Sequence, residues 1–171
     1  MQETDNFSTR INTQVGMDNK FLTFNIGKEQ YGIEIKYVTQ ILGMQSITSL
    51  PEMPSFIQGV INLRGKVIPV INVRVRFGFE SLEFTDRTCI IVVDMDRILV
   101  GLIVDQMQEV LTIPNEKIEA TPTLNKSVES RYIAGLGKSA ESVIILLNTQ
   151  KLLFDDELEK VVKQVKKKEK N

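Results

Sequence analysis

The sequence predicts a mainly β protein made of two similar small units, each of about five short strands with one helical turn, closed into barrels that hide their edges. Three observations lead to that fold class. The stretch Ile57 to Asn72 sets two β-branched runs on either side of Leu63-Arg64-Gly65-Lys66, which reads as a hairpin with its turn at the centre. Further short apolar runs recur along the chain, broken by Gly, Pro, Asn and Asp. The hairpin has a counterpart of equal length, Ile133 to Asn148. One large irregular sandwich is the alternative architecture.

Residues 1–19 are rich in Gln, Asn, Thr and Asp and hold too little apolar area to offset the entropy of ordering, so a disordered tail is expected. From Lys20, alternation of Phe21, Thr23 and Asn25 against Leu22, Phe24 and Ile26 predicts a strand. Gly27-Lys28-Glu29 turns it into a second strand over Gln30 to Ile35. After Tyr37, residues Val38, Ile41 and Leu42 fall at one-turn spacing, which predicts a short helical turn ending at Gly43. Ser46 to Leu50 extends again, and Pro51 and Pro54 block a long helix there. Beyond the central hairpin, Val73 to Phe77 predicts a short helix stopped by Gly78. Leu124 to Tyr132 is open between a loop and the start of a strand. Leu152, Leu153, Leu158, Val161, Val162 and Val165 lie at near-helical spacing on a lysine-rich background and predict a C-terminal helix. Six of the last twelve residues are lysines, which marks 155–171 as a charged helix or tail, solvated first and an acidic-partner or membrane-surface patch second.

The repeat is legible position by position. Ile57 to Asn72 and Ile133 to Asn148 both carry Gly third, Gly59 and Gly135, and both end in an apolar run closed by Asn. Upstream, YGIEIKYVTQIL at 31–42 aligns without gaps to VGLIVDQMQEVL at 100–111. Gly32 meets Gly101, Val38 meets Met107, Ile41 meets Val110 and Leu42 meets Leu111. Two matches in the same order argue for two similar β units.

Composition bounds the function. With 42% hydrophobic and 25% charged residues the chain is globular, and its net charge of −1 disfavours nucleic-acid binding. No apolar block opens the chain, so no signal peptide or direct membrane insertion is expected, and a cytoplasmic protein is. The single cysteine, Cys89, sits in the apolar run Thr88 to Val93 and reads as an inert core thiol. The chain has no histidine, which removes the usual general base and metal ligand. Asp94 and Asp96 suggest a hard-cation pair, but they stand where Ile90 to Val93 must turn back into Ile98 to Val104 and read as turn formers. Gly137-Lys138-Ser139 imitates a phosphate loop, yet Tyr132 occupies the position of the required first glycine and a strand, not a helix, follows. No metal and no cofactor is expected. A binding module remains, with Arg64 at a rigid hairpin tip as first candidate; the competing reading is a solubilising charge.

The string IQGVINLRGKVIPVIN, with Pro51 and Pro54 ahead of it, resembles the signature of the CheW-like domain of bacterial chemotaxis coupling proteins. FNIGKEQYGIEI, IVDQMQEVL, YIAGLGK and VIILLNTQKLL follow in the family's order, so the resemblance covers roughly residues 20–154. It implies two SH3-like five-stranded β-barrel subdomains packed about a shared apolar interface, with short helices and a C-terminal helix. It further implies an adaptor, not an enzyme, that couples the cytoplasmic tips of methyl-accepting chemoreceptors to the histidine kinase CheA in membrane-associated arrays. The kinase would be met through its own CheW-like regulatory domain, barrel against barrel, and the receptor in the groove between the barrels.

Carried over by position, the implied receptor-facing residues are Val38, Gln40, Gly59, Arg64, Ile90 and Val110. Val38, Ile90 and Val110 compete with a core role, and Gly59 with a close backbone approach. Gln40 departs from the Glu common at that position, which leaves Arg64 without an ionic partner there. Two alternatives stand beside the adaptor: the regulatory CheW-like domain of a larger CheA- or CheV-type protein, and a small nucleotide-binding regulator using Asp94, Asp105 and Glu109. Within the hairpins the scaffold repeats but the arginine does not, since Gly137-Lys138-Ser139-Ala140 stands near its place.

Overall fold

The computed structural model describes residues 19–120, residues 131–153 and Val165. The expected N-terminal tail up to residue 18, most of the open segment from Leu124 onward and the chain beyond Leu153 lie outside the described residues, except that Val165 is helical and buried. The strands are β1 (Lys20–Ile26), β2 (Glu29–Glu34), β3 (Val38–Gly43), β4 (Ile57–Leu63), β5 (Lys66–Asn72), β6 (Cys89–Met95), β7 (Ile98–Val104), β8 (Gln106–Thr112), β9 (Ile118–Glu119), β10 (Ile133–Lys138) and β11 (Val143–Leu147). Two short helices, α1 (Val73–Arg76) and α2 (Thr149–Leu153), follow β5 and β11.

The strands form two sheets, ordered β3-β6-β7-β5-β4 in subdomain 1 and β8-β1-β2-β11-β10-β9 in subdomain 2. Read strand for strand, the first five positions have the same plan: an edge strand, a hairpin, and a second hairpin joined to the first through a parallel pair. The parallel contacts pair Val70 with Gly101 and Leu146 with Gly32, so the two aligned glycines occupy one structural position. The aligned hairpins both slip register by one residue at their third position, at Gly59 and at Gly135. Asn72 and Asn148 donate equivalent backbone hydrogen bonds, to Phe56 at 2.8 Å and to Tyr132 at 2.7 Å. Even β9 has a counterpart, the isolated bridge between Thr48 and Val60.

The duplication is therefore real, but the two subdomains are not the two halves of the sequence. Subdomain 1 is continuous from β3 to β7, whereas subdomain 2 takes β1 and β2 from the start and β8 to β11 from the end. The chain crosses between sheets after β2 and again after β7.

Three cores explain the apolar runs. Ile61, Ile68, Val70, Ile90, Val92 and Ile103 fill one side of subdomain 1, and Phe21, Ile113, Ile144 and Leu146 fill one side of subdomain 2. Between the sheets lies a larger shared core that includes Leu22, Phe24, Ile33, Ile71, Ile91, Val93, Leu102 and Val104. Both sheet faces are buried, so Ile90 to Val93 are uniformly apolar and fully inaccessible rather than alternating. Polar ties cross the same boundary. Arg74 on α1 donates twice to Asp105, at 2.9 Å and 2.8 Å, while Asp105 also accepts the Gly27 N–H at 2.7 Å. Arg76 lies 4.1 Å over Phe56 and 5.1 Å over Tyr132, and donates to the Leu152 carbonyl at 3.1 Å.

One expectation fails. Residues 38–43 form strand β3 rather than a helical turn, and the helical turn is the 3-10 segment Ile35–Tyr37 just before it. The spacing of Val38, Ile41 and Leu42 is produced by a bulge, and the β-branched Val38, Thr39 and Ile41 suit the strand. Of the two expected turn-forming acids, Asp96 stands in the turn and Asp94 is still in β6, paired with Leu99; Gly137 and Lys138 likewise end β10, so the second turn begins only at Ser139. Asp96 and Arg97 take φ of 52° and 67°, and the Ser139 N–H closes the β10–β11 loop on the Ser142 carbonyl at 2.9 Å.

Gly59 adopts φ of +149°, and a Cβ there would strike the Thr48 carbonyl oxygen. Gly59→Ala is expected to cost about 3 kcal/mol of stability in urea unfolding, combining backbone strain with a lost bridge. A loss below about 1 kcal/mol would contradict that packing.

Candidate functional site

The edge strands β3 and β8 carry the exposed apolar surface that separates this site from ordinary solvated edges. On β3, Val38 faces Val93 and Gln40 faces Val92, so Thr39 is an extra residue; on β8, Val110 faces Leu22 and Met107 faces Phe24, so Gln108 and Glu109 together oppose Thr23. Directly paired residues share a face. Ile41 pairs with Ile91, so the bulges turn Val38, Ile41, Met107 and Val110 toward the shared-core side, where Ile91, Val93, Leu22 and Phe24 point. Without the bulges, residues three apart would lie on opposite faces. Val38 and Ile41 align with Met107 and Val110, so both subdomains present the same apolar pair.

Ile41, Met107 and Val110 remain 40%, 38% and 49% exposed. Between the two edges opens a cleft of about 490 Å³, lined by Ile41, Leu42, Gly43, Arg87, Cys89, Gln106 and Met107. An open trough in which Ile41, Leu42 and Met107 stand beside Arg87 and Gln106 offers dispersion contact together with polar partners, which suits a macromolecular segment.

The implied receptor-facing residues divide. Val38 and Val110 lie on the cleft side, Val38 half-buried and Val110 exposed. Gln40 is half-buried on the other face of β3, opposite Val92. Ile90 is fully buried in the small core of subdomain 1, so it can act on a partner only by supporting the sheet. The preceding residue, Cys89, lines the cleft instead, because a shift of one residue along a strand changes face. Gly59 is buried against the Thr48 segment. Arg64 is exposed at the β4–β5 tip with φ of 54°, beside Gly65 at 89°, a two-residue turn with both residues left-handed. Asn62 fixes that turn by accepting the Gly65 N–H at 2.8 Å. Among the described residues the Arg64 side chain has no hydrogen bond or ion pair, and none joins it to Gln40. Ile41, Met107 and Cys89 were not singled out from sequence as site residues, although the alignment of Val38 with Met107 and of Ile41 with Val110 held the signal for two of them.

The family profile described as the CheW-like domain matches residues 20–157. The chain belongs to the CheW-like family. It is 36% identical to the chemotaxis protein CheW of Klebsiella aerogenes over 139 residues, 81% of this chain and 84% of that one. It is 33% identical to the probable chemotaxis protein CheW of Rhizobium etli, covering 83% of this chain and 92% of that one. The crystal structure of the scaffolding protein TtCheW from Thermoanaerobacter tengcongensis superposes with a TM-score of 0.75 at 34% identity, over 81% of this chain and 94% of that one. As a CheW-like protein the chain is a chemotaxis coupling adaptor, and the two-subdomain β architecture is the one the sequence predicted.

Burial raises the Cys89 thiol above its ordinary value, against a smaller opposing effect of its hydrogen bond with the Met107 backbone. The unfolded thiol ionises first, so Cys89 stabilises the fold fully at neutral pH and loses that contribution as pH rises through the ordinary thiol value of 9.0 toward the higher folded one. The urea midpoint of the parent chain is expected to fall more steeply above about pH 9 than that of Cys89→Ala. Parallel curves for the two proteins would show that the thiol is not shifted.

Proposed function

We propose that this CheW-like adaptor holds the helical cytoplasmic tips of chemoreceptors in the cleft between β3 and β8, with Arg64 as a second, polar contact, and couples them to the histidine kinase CheA. The observation that carries the reading is the pair of matched bulges, which place apolar residues from two subdomains on one open trough. An amphipathic helix laid in such a trough gains contact along its apolar stripe without ordering new backbone in the adaptor. Arg64 adds a guanidinium on a two-residue turn, able to take a carboxylate or helix-end carbonyls at small entropic cost.

The kinase contact is assigned to the outer surfaces of the subdomains, sheet module against sheet module, with CheA contributing its own CheW-like regulatory domain. Action is by position: the chain has no histidine to accept a phosphoryl group or serve as a general base. No described helix is long and apolar enough to cross a membrane, and the proposed setting is the cytoplasmic face of a receptor array. The names of the relatives favour the free adaptor over the regulatory domain of a larger kinase.

Co-sedimentation of the full chain with receptor fragments and CheA tests the reading. Val110→Asp, which puts a charge on the exposed face that β8 shares with Met107, and Arg64→Ala are each expected to weaken receptor binding about tenfold or more while leaving binding to the isolated kinase regulatory domain within about twofold. Folded variants that bind receptor fragments as tightly as the parent would overturn the assignment.

A further inference from the structure

Two bulges shape the cleft, and each is held by a threonine hydroxyl. On the β8 side the threonine belongs to the opposing strand. Thr23 of β1 is fully buried, and its Oγ1–H donates to the Glu109 carbonyl at 2.7 Å while the same oxygen accepts the Glu109 N–H at 3.1 Å. On the β3 side the threonine belongs to the bulged strand itself, with the Thr39 hydroxyl donating to the Val92 carbonyl at 3.2 Å. Val92 is the register equivalent of Thr23, because Val93 and Ile91 face Val38 and Ile41 as Phe24 and Leu22 face Met107 and Val110.

We infer that Thr23 is a positioning residue for the partner cleft: its hydroxyl stands in for a missing ladder partner and fixes the β8 bulge that turns Met107 and Val110 to one side. The inference rests on the reading of the β3–β8 cleft as the receptor site.

Between the pairs Leu22–Val110 and Phe24–Met107, one β1 residue must satisfy a stretch of β8 that is one residue longer. Backbone alone leaves the extra peptide group without a regular partner. A hydroxyl supplies one donor and up to two acceptor sites, and Thr23 uses one of each on the same residue. Valine has nearly the same shape but neither function. With the staple gone, Glu109, which is exposed, takes water instead, and β8 is free to straighten or slide. Straightening absorbs the extra residue and leaves Met107 and Val110 on opposite faces, so that only one of the two stays on the cleft side. The β3 half is untouched, since its own bulge is held by Thr39.

The experiment uses the full chain in four forms: parent, Thr23→Val, Thr23→Ser and the cleft control Val110→Asp. Each is titrated with receptor cytoplasmic fragments and, separately, with the kinase regulatory domain. Thr23→Val is expected to bind receptor fragments about tenfold more weakly with kinase binding within about twofold, and Thr23→Ser, which keeps the hydroxyl, to recover the parent affinity within about twofold. Three results overturn the inference: parent-like receptor binding by Thr23→Val, failure of Thr23→Ser to rescue, or an equal loss toward both partners. Loss by Val110→Asp without loss by Thr23→Val sinks the staple alone, whereas parent-like binding by both sinks the cleft reading as well. Amide hydrogen exchange on the unmodified chain covers the case in which Thr23→Val does not fold. The Glu109 amide is expected to be protected despite the exposed position of its residue, and free exchange at the rate of an unstructured amide overturns the inference.

Discussion

The two sheets meet across the shared core, and that contact governs the rest of the molecule. Each sheet already encloses a small core on its other side, so neither has a face left to give to solvent or to a ligand. Residues 90–93 make the constraint concrete: Ile90 and Val92 fill one core, Ile91 and Val93 the other, and none is accessible. What is left for recognition is the margin of the fold, its edge strands and hairpin tips. Both candidate contacts lie on that margin, the cleft along β3 and β8 and the Arg64 turn. Their geometry is inherited from the core, because the bulged strands are paired to β6 and β1, whose side chains are locked inside.

The fold was legible to the extent that it repeats. Gly32 with Gly101 and Gly59 with Gly135 stand at equivalent places because each lets a neighbouring strand approach closely: a Cβ at Gly101 would lie 2.8 Å from Ile90 Cγ2, and one at Gly135 would lie 3.0 Å from the Glu119 carbonyl oxygen. Such demands are written in the residue type. The helical turn assigned to residues 38–43 failed for a related reason, since a bulge shifts the apolar spacing of a strand from two toward three and imitates a helix. Nor could the run from Thr88 to Val93 reveal its own facing, because a strand buried on both sides has no polar residues to mark the phase. Only the structure shows that Ile90 takes the core role named as its competitor, while Cys89 one position away faces the cleft. Arg64 was legible because its turn is local, set by a two-residue loop and the Asn62 side chain.

The departure from symmetry is as informative as the symmetry. The β4–β5 hairpin closes in two residues around Arg64 and Gly65, while its counterpart closes through the wider Ser139–Ser142 loop, and no arginine follows Gly135. The two bulges likewise use different threonines. Duplication supplied a trough with two similar walls, and the differences at the margin make those walls distinguishable from one another.

The interleaved path of the chain has a consequence for its synthesis. Subdomain 1 is encoded in one uninterrupted stretch, but the β1–β2 hairpin emerges first and finds its sheet only when β8 and β11 follow. At roughly 5–20 residues per second the hairpin waits several seconds with Leu22, Phe24 and Ile33 uncovered. Subdomain 1, once folded, offers Ile91, Val93 and Leu102 as temporary cover on the very surface the hairpin will keep. The middle of the chain thus closes over a hairpin made before it, and these two sides of the shared core can meet before the remaining strands of subdomain 2 are made.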